Sequence, residues 1–219
     1  RFAEQMTAQG HQFIYYSLDD PRNRQDLIKN IEELIQTQGF QSFGYQWPDE
    51  YRLDRQLKNW CGQQSIPVTV EDTQHFLTSR TDWQDHFKDK KTYTMEFFYR
   101  AMRKKTGYLM TPTGQPEGGV WNFDTENRKT WNGSPAIPKG PVFHPEIDPI
   151  LSMLKEHGVK TIGNPSKPEQ FLWATTREEA EWLLRHFVQY LLPHFGRFQD
   201  AMHPEEPILF HSRLSFCLN

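Results

Sequence analysis

The stretch LFHSRLSFCLN at the end of the chain holds its densest chemistry. His211, Ser212, Arg213 and Ser215 bring an imidazole, two hydroxyls and a guanidinium to a predicted helix start. With the free N–H groups of a first helical turn, these are the ingredients of a pyrophosphate cradle. A serine that only caps its helix has the same spacing, and spacing alone favours that plainer use.

A second group is cationic. Arg100, Arg103, Lys104 and Lys105 lie in one predicted helix, the first three along one side. Such a face can meet a phosphate backbone. It can equally be a solvated surface, and Glu96 precedes Arg100 by four residues, as in a simple helical ion pair. His186, His194, His203 and His211 fall in the last third, without an i, i+4 pair or a His-Glu-x-x-His, so no metal site is expected. There is no Gly-x-Ser-x-Gly, no Gly-x-Gly-x-x-Gly and no P-loop. Cys61, beside Trp60 in a predicted helix, reads as a small core residue. No catalytic residue is nominated.

Composition sets the frame for these groups. A chain of 219 residues suits one large or two small domains. Its apolar mass is carried unusually by rings, 16 Phe, 8 Tyr and 7 Trp, for which core packing is the commoner reason. A net charge of −3 does not demand a nucleic-acid partner. Cys61 and Cys217 form no disulfide framework, and a reduced, cytoplasmic setting is the expectation. No run of about 20 apolar residues is present, so no membrane partner is expected.

The elements that position these groups follow from periodicity. Residues 1–77 read helix, strand, helix, strand, helix, strand. The strands are HQFIYYSL, FQSFGYQW and IPVTVE; the helices are residues 1–8, a stripe of Leu27, Ile28, Ile31, Leu34 and Ile35 stopped by Gly39, and Leu53, Leu57 and Trp60 capped by Asp49. Alternation of this kind implies crossovers and a parallel sheet, an α/β domain. Residues 78–167 form a connector with helices: one over TMEFFYRAMRKKTGYLM with Met95, Phe98 and Met102 on one side, and one carrying Ile147, Ile150, Leu151 and Leu154 up to Gly158. From 168 to 219 the chain reads as the start of an all-α domain. Thr176 and Glu179 have capping-box spacing, Ala180, Leu183, Leu184, Phe187 and Leu191 form a stripe, and Pro193 ends it. Left without partners, the Leu183–Leu191 stripe would drive self-association. The chain opens inside a helix without Met and stops as apolar positions begin to recur, which reads as a piece cut at both ends, its first strand missing.

Between these helices, Thr106 to Pro145 lacks any period yet keeps Tyr108, Leu109, Trp121, Phe123, Trp131 and Phe143. Such a loop is too aromatic for disorder and is expected to lie along the protein, anchored by its rings. Within EGGVWNFDTENRKTW, Asp124, Asn127 and Arg128 would satisfy backbone groups that a long loop leaves unpaired.

At these residues the chain resembles a known family. SRLS after FQDAM resembles the flavin-diphosphate motif of photolyases and cryptochromes. MEFFYRAMRKKTGYLM followed by GGVWNFDTENRK resembles the iron–sulfur branch of prokaryotic photolyases, the deoxyribodipyrimidine photolyase-related proteins. The resemblance implies a Rossmann-like N-terminal domain, a long connector and an all-α flavin domain. It implies FAD, a lumazine-type antenna and a [4Fe-4S] cluster in the whole protein, none expected to be held fully by this stretch. It implies blue-light-driven repair of damaged DNA by electron transfer from reduced FAD, with a blue-light sensor of cryptochrome type and a non-catalytic scaffold as alternatives; this stretch alone would be inactive. Ser212, Arg213, Leu214 and Ser215 match the phosphate motif, His211 stands where many photolyases have threonine, and Phe198 stands near a flavin-contacting tyrosine of relatives. DNA contacts are expected from Arg100, Arg103, Lys104 and Arg128. The four cluster cysteines of the branch are absent here.

Overall fold

A computed structural model of the chain describes residues 2–162 and 171–218. The boundary expected at 167/168 therefore lies outside the described residues. Two compact units form: one is Pro21–Trp121, the other residues 2–20 with the described residues from Asn122 on.

In the first unit, α2 (Leu27–Gln38) starts where the Asp26 carboxylate accepts the Lys29 N–H at 3.0 Å. It stops at Gly39, whose φ of 67° is a left-handed cap. Strand β1 (Phe43–Gln46) pairs in parallel with β2 (Val68–Glu71), Phe43 opposite Val68, and α3 (Tyr51–Cys61) connects them. This parallel pair with its helices is an α/β arrangement, as alternation implied. A Cβ on Gly44 would sit 2.9 Å from Thr69 Oγ1, so a side chain there would push the Thr69 hydroxyl aside. Trp60 of α3 is buried edge-on against Phe43 at 5.2 Å, and its indole N–H donates to Glu32 at 2.8 Å.

Glu50, rather than Asp49, caps α3, accepting from the Leu53 N–H at 2.8 Å. Asp49 instead faces Arg80 at 3.7 Å and His75 at 3.8 Å. Helix α4 (Arg80–Phe87) opens on a Ser79/Asp82 capping box, and α5 (Met95–Thr106) buries Phe98 against Phe87 and Trp83. Met95, on the same side by spacing, is 58% exposed while Phe98 is buried.

The second unit holds α1 (Phe2–Ala8), α6 (Asp148–Glu156), α7 (Arg177–His186) and α8 (Leu192–Phe198). HQFIYYSL, expected as a strand, is irregular: its side chains have the strand pattern, but no strand pairs with it among the described residues. The Thr176/Glu179 capping box opens α7. Pro193 does not end that helix. A π turn, Phe187–Leu191, carries it into α8, with the Leu192 N–H bonded to the Phe187 carbonyl. Pro193 then falls in the first turn of α8, where a missing N–H is tolerated. The Leu183–Leu191 stripe is also not a bare surface: Leu183 and Leu191 are buried, Leu184 is exposed. Leu191, Phe198, Leu209 and Phe210 form the core of this unit, with Trp131, Ile137 and Phe187 packed on it.

Residues 107–147 hold no α-helix, only short 3₁₀ turns and one bridge between Met110 and Pro116. The Asn127 carbonyl accepts from the Asp200 N–H at 3.1 Å, and the Lys129 N–H donates to the Arg197 carbonyl at 3.3 Å. These bonds satisfy backbone groups that regular structure would otherwise pair. No helix among the described residues is long and apolar enough to cross a membrane.

Candidate functional site

Residues His211–Leu214 are extended or turned, and the helix expected after them is a four-residue 3₁₀ turn, Ser215–Leu218. So short a turn has no aligned helix dipole to offer an anion. The side chains still gather. Ser212 Oγ accepts from the Leu214 N–H at 3.3 Å. Arg213 takes a left-handed backbone, φ 55°, and its Nη2 donates to the Pro141 carbonyl at 3.4 Å. The His211 ring stands edge-on to Phe195 at 5.7 Å, and Ser215 is exposed. Arg213, Gly140, Lys139, Glu206, Leu191 and Trp131 help line a cavity of about 450 Å³.

Gly140 has a steric reason to be glycine. A Cβ there would lie 3.0 Å from Arg213 Nη2 and 3.5 Å from His186 Nε2. The His186 Nε2 is buried and has no hydrogen-bond partner. Burial, and then the charge of Arg213, hold the His186 imidazole below the usual histidine range. Neither Gly140 nor His186 is nominated by sequence; Gly140 within PKGP gives only a turn signal, and His186 gives none.

Phe198 is placed differently from a flavin contact. It is 1% exposed, stacked on Phe210 at 5.2 Å and 22°. As placed it offers no ring face to a ligand. It is an apolar ring on the inner side of α8, and the core takes it.

The cationic face of α5 is organised by Trp121. The indole lies 5.3 Å from the Arg100 guanidinium, 5.5 Å from that of Arg103 and 5.3 Å from the Lys104 ammonium. Arg103 is 7% exposed. It donates to the Leu109 carbonyl and, at 3.4 Å, to the Trp121 carbonyl, and its guanidinium sits 5.5 Å from the Tyr99 ring. Arg103 is thus spent on holding the loop after α5, and its burial removes it from any phosphate contact in this arrangement. Arg100 pairs with Glu96, and Lys105 with Asp82. Hydrogen bonds from Lys105, then from Ser79, hold the Asp82 carboxyl down at about 2. Lys104 is exposed. Arg128, in the other unit, has 81% of its side chain exposed and donates to Asp200 at 3.3 Å.

A second, wide opening of about 660 Å³ lies over the carboxyl ends of β1 and β2, lined by Tyr45, Gln46, Glu71, Asp72 and His75. Open α/β sheets bind ligands at such strand ends. Among the described residues no three His, Cys, Asp or Glu side chains gather as a metal set. Two cysteines in the whole chain cannot supply the four thiolates of an iron–sulfur cluster.

The described residues thus hold a parallel strand pair, a long ring-anchored connector and a cavity with Arg213 in its wall. The model of the family described as deoxyribodipyrimidine photo-lyase-related protein matches residues 1–173. The chain belongs to that family. A (6-4) photolyase of Agrobacterium fabrum (strain C58) is 34% identical over 224 aligned residues, covering all of this chain and 43% of the relative. The chain thus spans less than half the length of that relative. The family match ends before His211–Ser215, and the likeness to the Agrobacterium protein extends over those residues.

Proposed function

We propose that this chain serves light-driven repair of UV-damaged DNA, as one part of the machinery that holds FAD and DNA. Its α/β unit would correspond to a Rossmann-like antenna domain, and α7 and α8 to the start of a flavin-binding domain. The observation that carries the flavin reading is Arg213 at the wall of a cavity of about 450 Å³, within the motif Ser212–Ser215. A guanidinium, a serine hydroxyl and a glycine with no Cβ suit a diphosphate. When bound, reduced FAD would supply light-driven electron transfer to the lesion. Arg213 would neutralise the diphosphate, while Ser212 holds the turn that presents Arg213. Arg100, Lys104 and Arg128 would meet DNA phosphates, and Arg103 would act by fixing the loop between them and Trp121. A lumazine-type antenna would suit the opening at the carboxyl ends of β1 and β2. The thiolates of a [4Fe-4S] cluster would have to come from elsewhere.

The test is a graft. The 219 residues replace the matching stretch of the Agrobacterium (6-4) photolyase, with bound FAD read by its blue absorbance as the control for folding. Blue-light conversion of a lesion-bearing oligonucleotide to its undamaged form upholds the proposal. A graft that holds FAD yet converts nothing contradicts repair and favours a light sensor.

A further inference from the structure

Helix α5 buries the Phe98 ring and leaves the ring before it uncovered: Phe97 is 58% exposed. A single exposed apolar side chain is ordinary. This one belongs to a series in which rings and cations alternate. The Arg100 guanidinium lies 5.8 Å from the Phe97 ring and 5.3 Å from the Trp121 ring. The exposed Lys104 ammonium lies 5.3 Å from Trp121 on its own account. Phe97, Arg100 and Lys104 are spaced i, i+3 and i+7, so they share one side of the helix. Beneath them Arg103 is buried, its guanidinium 5.5 Å from the same indole and bonded to the Trp121 and Leu109 carbonyls. It holds Trp121 in place and leaves the outward cations to Arg100 and Lys104.

The chemistry selects the occupant. An uncovered ring takes a flat apolar partner, and the cations beside it take an anion. A nucleotide carries both, a base with two π-faces and a phosphate close by. Glu96, paired with Arg100, opposes an anion there, and two cations outweigh it. In a duplex the neighbouring base pairs cover each base face. Only an unpaired strand brings a bare face to Phe97.

We infer that the Phe97–Lys104 side of α5 binds single-stranded nucleic acid, with Phe97 stacking on a base while Arg100 and Lys104 hold the adjacent phosphates. That the strand is DNA awaiting repair rests on the repair reading; the stacking face itself does not.

The test uses the 219-residue chain and a labelled oligothymidylate, followed by fluorescence anisotropy. An abasic strand of the same length gives the phosphate contribution alone. The oligothymidylate should bind about tenfold tighter than the abasic strand, and tighter than its duplex with oligoadenylate. Phe97→Leu should remove that tenfold advantage and Phe97→Tyr should keep it, with far-UV circular dichroism unchanged in both. Lys104→Gln should weaken both strands alike and lower the salt slope by about 0.7. Equal binding of the two strands would overturn the stacking face and leave the phosphate contacts of the repair reading in place. Binding of neither strand would overturn both. Full affinity in Phe97→Leu, or tighter binding of the duplex, would overturn the stacking face alone. Polyglutamate that competes as well as the abasic strand and removes the oligothymidylate equally would replace it with a site for an acidic protein. A graft that repairs nothing while the oligothymidylate still stacks removes the repair reading only, so the two failures are told apart.

Discussion

Arg103 and Arg213 are the same residue put to opposite uses. Arg103 lies almost wholly buried between two aromatic rings, with two carbonyls accepting its N–H groups. Arg213 lines a cavity, has one long bond to a carbonyl, and faces a histidine nitrogen that nothing satisfies. The terminal nitrogens of Arg103 reach two carbonyls although its buried Nε has no partner, so it is tied into the protein, whereas Arg213 stands at the wall of an open cavity. Neither state is written in the local sequence. Both arginines sit in basic or polar stretches, and both were expected to meet phosphate.

The two tryptophans of EGGVWNFDTENRKTW repeat the contrast. Trp121 spreads its indole among three cations. Trp131 packs on the Leu191–Phe198 core, donates its N–H to the Pro135 carbonyl at 2.8 Å, and meets the His203 ring edge-on. One ring stabilises charge and the other covers an apolar core, so the stretch is anchored at each end by a different force.

The largest effect should come from the core that took Phe198. Phe198→Ala is expected to cost about 4 kcal/mol in urea unfolding. A loss below about 1 kcal/mol would mean that the ring is not packed as described and would return it to the list of ligand contacts. Next, Trp121→Ala should destabilise the first unit by about 2 kcal/mol, because Arg100, Arg103 and Lys104 lose their shared ring. Stability equal to wild type would show the cations to be independent of it.

In the DNA reading, Lys104→Gln in the grafted protein should lower the salt dependence of DNA binding by about one unit of slope. An unchanged slope would remove Lys104 from the interface. The smallest effect is at the start of α4. The Asp82 carboxyl is held at about 2, below its ordinary 3.8, by Lys105 and Ser79. A depressed carboxylate stabilises above its unfolded value and loses that contribution as pH falls through the folded one. Carbon NMR should therefore place its midpoint near 2, and Lys105→Gln should raise it; a midpoint near 3.8 in the wild type would deny the pairing.

How legible these features were depends on whether local or distant chemistry decides them. The Gly39 stop, the Thr176/Glu179 capping box and the parallel alternation of β1 and β2 depend on neighbours in sequence, and all could be read there. HQFIYYSL has every side-chain mark of a strand, but a strand is defined by a partner that the local sequence cannot name. Pro193 misled because a π turn, set by packing, shifted it to the one helical position where proline is harmless. Asp49 and Glu50 are both competent caps, and only the backbone decides between them. At the candidate site, the family motif located Ser212 and Arg213. His186 lies 27 positions upstream of Arg213, and only folding brings it beside that guanidinium. Arg103 is the converse case: its periodicity put it on a basic face, and the loop carbonyls drew it inward.

The contrast between the two arginines is tested most directly by Arg103→Ala and Arg213→Ala, each measured for urea stability and for pyrophosphate affinity at a temperature where both are folded. Arg103→Ala is predicted to lose about 3 kcal/mol with pyrophosphate affinity unchanged. Arg213→Ala is predicted to lose less than about 1 kcal/mol while its pyrophosphate affinity falls about tenfold. Equal stability losses with equal affinities would contradict the account, because the two guanidinium groups would then be doing the same job.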